Sequence, residues 1–217
     1  MGIDLGWVAD NLDRIGELLL VHVYLTALTI GVGLAISFGL ALVIRGWPGA
    51  HGPIIGAAGV IYSIPSLALL GLLIPITGLG VLTAEIALVG YTLLILTRNI
   101  VEALRGVPED AVEAATGMGY TAMQRLLRVE LPLALPVIVA GIRIATVTTI
   151  GLLTVAVLIG VDNLGYLIVT IGINRGSFGL TATFTGIVLA VALAVAADLA
   201  LLAVQRALTP WARRRSA

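Results

Sequence analysis

The chain has 217 residues, 59% of them hydrophobic and only 11% charged, with a formal net charge of zero. An average soluble domain carries about 25% charged residues, so an ordinary globular core is excluded and a polytopic membrane protein is indicated. There is no cysteine and all 12 basic residues are arginine, which closes the disulfide and zinc-thiolate classes and any phosphate-binding loop that needs a lysine.

A helix needs about 20 apolar residues to cross a bilayer. Residues 18–44 carry no charge and predict a first span. It is too long, and the region before it too acidic, for a cleavable signal. Residues 53–84 are also uncharged, but PITGLG at 75–80 reads as a turn. A second span over 52–76 is therefore expected, followed by a short hairpin. Within it Pro65, flanked by Ser63 and Ser66, should break the helix, which is tolerated where neighbours satisfy the freed carbonyls. That break is either a flexible segment lining a path or a packing kink. A third span, 81–103, carries Glu85, Arg98 and Glu102. Arg98 and Glu102 lie one turn apart and are expected to pair.

Residues 104–132 interrupt this apolar pattern. Pro108 suits a first helical turn, and Glu109 and Asp110 complement the N-terminal dipole. The helix PEDAVEAATGM then meets Gly117 and Gly119, which offer a stop. Thr121 with Gln124 predicts a capping box opening a second helix, TAMQRLLRVE. Leu131-Pro132 is expected to end it. Ala114, Ala115, Met118 and Leu126 give this hairpin an apolar surface, suited to another protein's groove or to a lipid surface. The spacing alone leaves both open. GMGYTA at 117–122 mimics a dinucleotide-binding loop, but no strand precedes it.

Residues 133–161 and 179–205 predict the fourth and fifth spans, each with an embedded charge. Arg143 lies 11 residues past Pro132, about 16 Å along the helix, and Asp198 about 12 Å before Arg206. Similar depth predicts an Arg143–Asp198 pair, structural or involved in gating, since intramembrane charges pair or face a cavity. Thr146, Thr148 and Thr149 either line a path or hydrogen-bond between helices. Between these spans, residues 162–178 are broken by Gly165, Gly172 and Gly176 and predict a re-entrant or surface segment, or a plain loop.

Arginine placement sets the expected orientation. Arg45, Arg105, Arg125, Arg128, Arg206, Arg213, Arg214 and Arg215 fall on the side of the polar insert, and Arg14 and Arg175 on the other. The insert should be cytoplasmic, the N-terminus outside and the C-terminus inside. The last three arginines read as an inner-face anchor. His22 and His51 form no metal pattern and no nucleophile set converges, so the chain is expected not to be an enzyme and to bind neither metal nor cofactor.

The insert carries a specific pattern: Glu113-Ala114-Ala115, then Gly119, then Val129, Leu131 and Pro132. At these offsets it resembles the EAA signature of ABC importer permeases, with valine where the family has isoleucine. The resemblance implies a type I importer permease fold: an all-α membrane domain of about five spans. It makes 104–132 a coupling segment whose Glu113, Ala114, Ala115, Met118, Gly119, Leu131 and Pro132 engage a cytoplasmic ATPase.

IYSIPSLALLGLLIP (61–75), LTRNIVEALRGVPEDAVEAATGMGYT (96–121) and LGYLIVTIGINR (164–175) are similar to permeases of glycine betaine, choline and carnitine importers. Methionine and polar amino-acid permeases share the loop and stand as the alternative. The implied partners are a second permease, identical or related, two ATPase subunits that hold the ATP and magnesium, and an extracytoplasmic binding protein. A bacterial inner membrane is the implied location, with no nucleic acid involved. Ser63, Pro65, Ser66, Thr146 and Thr149 are the candidate path residues. With 5% aromatics, a cation-holding aromatic cage is expected on the binding protein. A self-sufficient secondary transporter and a membrane scaffold are the remaining classes; the first is opposed by the lack of an internal repeat.

Overall fold

A computed structural model describes residues 3–173 and 178–209. Asp4 caps α1 (Leu5–Asp10) by accepting the Trp7 N–H at 3.1 Å. Helix α2 (Leu12–Gly46) runs for 35 residues, about 52 Å at 1.5 Å per residue, and so overshoots a hydrocarbon core of about 30 Å. α3 (His51–Ser63) and α4 (Ser66–Thr77) follow, then α5 (Val81–Arg105). The polar insert holds α6 (Glu109–Gly117) and α7 (Ala122–Arg125), and α8 (Leu131–Leu153) and α9 (Gly179–Leu208) complete the bundle.

Three contacts orient the helices. Thr29 meets Glu85, Gly33 meets Thr92, and Ala41 packs with Ile100, so α2 and α5 run parallel. Helix α8 runs against both, and α9 against α8. One end of the bundle therefore carries the α6–α7 hairpin, and the other, the far end, carries the starts of α2, α5 and α9.

The second expected span takes the form of a bent pair, broken where Pro65 predicts it. Over 52–76 the chain forms two helices bent by 100°, of 13 and 12 residues, each about 20 Å or less. Neither crosses alone. Because α2 ends at the hairpin end and its parallel partner α5 starts at the far end, the pair must carry the chain across. Among the described residues the bundle thus has four helices long and apolar enough to cross and one bent pair that joins its two ends.

The break has a local cause. Ile64 is extended (φ −71°, ψ 129°), as a residue before proline prefers. Tyr91 on α5 donates its hydroxyl to the Ile64 carbonyl at 2.6 Å, satisfying a group that a helix would have paired.

Helix α5 is central, packing on α2, α3, α4 and α8. At the far end Leu25, Leu70, Leu88, Tyr91 and Leu153 form one core, and at the hairpin end Ala41, Ile44, Ile100, Ala134 and Ile138 form another. In lipid, tight packing replaces the hydrophobic drive between helices. Gly141 shows the consequence: a Cβ there would lie 2.5 Å from the Asn99 Cβ. Helix α9 stays peripheral, with Val188, Val191, Val195 and Leu199 exposed.

After α8 a 3-10 stretch, Thr154–Ile159, ends at Gly160, and the chain turns back as a π-helical run, Tyr166–Ile173, packed on α9. This is no plain loop. Its Leu164 and Leu167 are buried against Ile15 and Leu18 of α2. His22, fully buried, accepts the Leu164 N–H on Nδ1 at 3.4 Å and donates from Nε2 to the Ile150 carbonyl at 3.1 Å. At the surface Arg14 bridges Glu17 and Asp162 and stacks over Tyr166 at 5.2 Å. Residues 174–177, with Arg175 and Gly176, and Arg213, Arg214 and Arg215 lie outside the described residues.

Candidate functional site

The hairpin is built by two opposite termini. Helix α6 opens after Pro108 with Glu109 and Asp110 in its first turn, where a carboxylate faces the positive end of the helix dipole. It closes in a Schellman motif: Gly119, at φ 80°, donates to the Thr116 carbonyl at 2.9 Å, and Tyr120 to the Ala115 carbonyl at 3.1 Å. Thr121 and Gln124 then form the expected capping box, with bonds of 3.3 and 2.9 Å.

The expected stop at Leu131-Pro132 does not occur. The chain is helical from Ala122 to Ile159. Between α7 and α8 lies a π turn, Leu126–Glu130, in which Leu131 donates to the Leu126 carbonyl five residues back. The wider turn makes room where Pro132 has no N–H and its ring crowds the preceding turn. Proline here sets a bulge rather than an end, and it welds the hairpin to the fourth span.

Of the residues expected to engage a partner, Glu113, Ala114, Met118 and Gly119 are exposed, and Leu131 and Pro132 half-buried. Ala115 is 1% exposed and Leu126 4%, so both face inward and contribute packing instead of docking surface. Met123 and Leu127, 60% and 54% exposed, stand on the hairpin's outside, four residues apart and so on one helical face.

Glu130 was not singled out by sequence, yet it is the best-buried carboxylate side chain in any described salt bridge, at 8% exposure. Arg45, in the last turn of α2, donates to both of its oxygens, through Nη2 at 2.8 Å and through Nη1. Arg125 donates its Nε to Oε1 at 2.8 Å and its Nη1 to Thr116 Oγ1 on α6 at 3.0 Å. Thr116 in turn donates to the Val112 carbonyl at 2.8 Å. Arg125 and Glu130 sit five apart, a spacing that meets in the π turn and would not in a plain α-helix.

Arg143 and Asp198 meet in a two-pronged pair at 2.8 and 2.7 Å, between α8 and α9. The Arg98–Glu102 pair does not form: Glu102 lies 3.7 Å from Arg105 instead, three residues on. Thr146 and Thr149 are buried. Thr146 Oγ donates within its own helix to Ile142 at 2.8 Å and borders an apolar groove of ≈ 420 Å³ between α2, α8 and α9. Ser63 and Pro65 are exposed and Ser66 half-buried; Ser63 donates to the Val60 carbonyl at 2.8 Å. That bend packs on α5, with Tyr62 edge-on to Tyr91 at 6.0 Å. The two sets of candidate path residues therefore sit on separate faces of the chain.

Residues 33–214 match the family described as "Binding-protein-dependent transport system inner membrane component". Over 209 residues the chain is 37% identical to the osmoprotectant import permease protein OsmW of Salmonella typhimurium, covering 94% of this chain and 96% of that one. It is 34% identical over 195 residues to the choline transport system permease protein OpuBB of Bacillus subtilis, covering 89% and 88%. A further relative is the glycine betaine/carnitine/choline transport system permease protein OpuCB of the same organism, at 32% identity over 87% of this chain and 86% of that one. Among solved structures, inward-facing forms of the MetNI methionine ABC transporter share the fold. One gives a TM-score of 0.79 at 24% identity, covering 96% of this chain and 100% of that one. Another gives 0.73 at 25% identity, covering 88% and 94%.

Proposed function

The chain belongs to the inner membrane components of binding-protein-dependent transport systems, and on that premise we propose that it is the permease subunit of an importer for a quaternary-amine osmoprotectant. Glycine betaine, choline and carnitine define the cargo class, because these are the solutes named for relatives at 32–37% identity over most of the chain. The chain forms the passage and hydrolyses nothing itself. ATP is hydrolysed on two ATPase subunits at the hairpin end, a second permease completes the path, and a binding protein delivers solute at the far end. Closure of the ATPases moves the hairpins as rigid bodies and the helices rock to alternate access.

One observation carries this reading. The EAA pattern coincides with a hairpin closed by a Schellman motif and reopened by a capping box, leaving Glu113, Ala114 and Met118 outward. The orientation has the hairpin end in the cytoplasm, where Arg45, Arg105, Arg125 and Arg128 gather, as the positive-inside bias requires.

Co-purification tests the docking. Wild-type chain expressed with its ATPase should retain the ATPase through a detergent wash, and Glu113→Arg should release it. Equal retention by both would remove the hairpin from the interface. The methionine reading rests on the fold shared with the methionine transporter, at lower identity than the osmoprotectant relatives.

A further inference from the structure

Helix α6 packs chiefly on α7 and on the π turn, without extensive contact to α2, α5 or α8. Val112 also rests on the hairpin-end core, but the polar side chains of α6 and its main packing lead into that turn, which offers a push delivered to α6 a hydrogen-bonded route into the bundle. Glu130 is its last residue, and both of its oxygens are engaged by guanidinium groups from two different elements. One unbroken line of hydrogen bonds runs from Val112 and Thr116 on α6, through Arg125 and Glu130, to Arg45 at the end of α2.

We propose that Glu130 is a transmission residue: it couples the docked hairpin to the end of α2, so that α2 and α8 move with α6 when the ATPases close. This rests on the hairpin being the ATPase dock, as argued above.

The chemistry favours transmission over simple bracing. A brace is served as well or better by apolar packing, since a buried ion pair is a weak source of stability. Here two cations share one carboxylate, leaving a surplus positive charge beside a side chain only 8% exposed. Arg125 is the surplus partner. It adds no neutralisation that Arg45 does not already supply, and what it does add is the reach to Thr116 on α6. Charge-assisted, forked hydrogen bonds hold both distance and angle, as a rigid joint requires.

The test uses the whole complex, permease with its ATPase and binding protein, reconstituted in vesicles. Uptake of labelled glycine betaine and choline and the rate of ATP hydrolysis are measured together. Arg125→Gln breaks the reach to α6 and leaves Arg45 and Glu130 as a balanced pair, so assembly and thermal stability should hold at wild-type levels. Glu130→Gln leaves two guanidiniums without their carboxylate and is the more severe change.

Both variants should retain the ATPase and its basal hydrolysis while uptake per ATP falls by about tenfold, the scale on which residues that link two sites alter coupling. Wild-type uptake per ATP in Arg125→Gln would overturn the proposal, whatever Glu130→Gln does to folding. Failure of the docking reading shows elsewhere, as an ATPase that Glu113→Arg does not release.

Discussion

Arg143 on α8 and Asp198 on α9, 55 residues apart in sequence, face each other with both guanidinium and carboxylate edges engaged, at 2.8 and 2.7 Å. Each is about a quarter to a third exposed in the isolated chain, at 24% and 33%. A charge within a membrane helix is retained when it is paired, and the forked geometry gives each group two bonds. Neutralising either one leaves the other unpaired among Ala140, Ile144 and Val147. Arg143→Asp and Asp198→Arg should each lower the yield of assembled, monodisperse protein, and the double exchange should restore it. Size-exclusion profiles after solubilisation report the outcome; a double variant no better than the singles would show that the pair does not hold α9 to α8.

The bend at Ile64-Pro65 depends on a donor from another helix. Tyr91→Phe removes the hydroxyl that satisfies the Ile64 carbonyl and changes little else. An unsatisfied carbonyl costs about 1–3 kcal/mol when fully buried and less at this half-buried turn, so a modestly lower thermal midpoint is expected. Tyr62→Phe is the control: Tyr62 packs edge-on to Tyr91 and is 41% exposed. Its midpoint should match wild type. Equal midpoints for both variants would mean that the bend persists without that bond.

Gly119 occupies the left-handed region at φ 80°, whereas Gly117 is helical with open space around it. Gly119→Ala should loosen the hairpin by about 1–2 kcal/mol, the cost of that conformation for an L-residue. Trypsin cleavage at the exposed Arg128 should then accelerate by about tenfold, because cleavage follows the opened population. Gly117→Ala should cut no faster than wild type, since alanine favours the helix.

The absence of cysteine makes topology directly measurable. Trp47→Cys, between α2 and α3 at the hairpin end, and Leu79→Cys, between α4 and α5 at the far end, are 68% and 71% exposed in the native side chains. In intact cells an impermeant maleimide should label the residue at 79 alone; in inverted vesicles the residue at 47 should react. The reverse pattern would turn the molecule over.

What could be read from sequence was local or set by depth. The capping box at Thr121 and Gln124, the stop at Gly119 and the break at Pro65 are each signalled by residues within four positions, although the break is then completed by Tyr91 from another helix. Arg143 and Asp198 could be matched because each is the lone charge in its span and both lie at similar depth. The rest needed the helices' rotation and register. Arg45 and Glu130 are 85 residues apart on helices whose relative angle no periodicity reveals. His22 looked idle as a metal ligand and instead ties α2 to Ile150 and Leu164. Pro132 predicts a stop because the residue before proline disfavours helix, yet the chain stays helical through it. The π turn removes the conflict, and the same widening brings Arg125 to Glu130.

Solute uptake tests the central claim most directly. Labelled choline, glycine betaine and methionine are offered at high osmolarity to cells with and without this chain, in a strain lacking other importers for the three. Loss of choline or glycine betaine uptake, with methionine unchanged, is the expected result. Loss of methionine uptake alone would contradict the osmoprotectant assignment while leaving an ATP-driven permease in place.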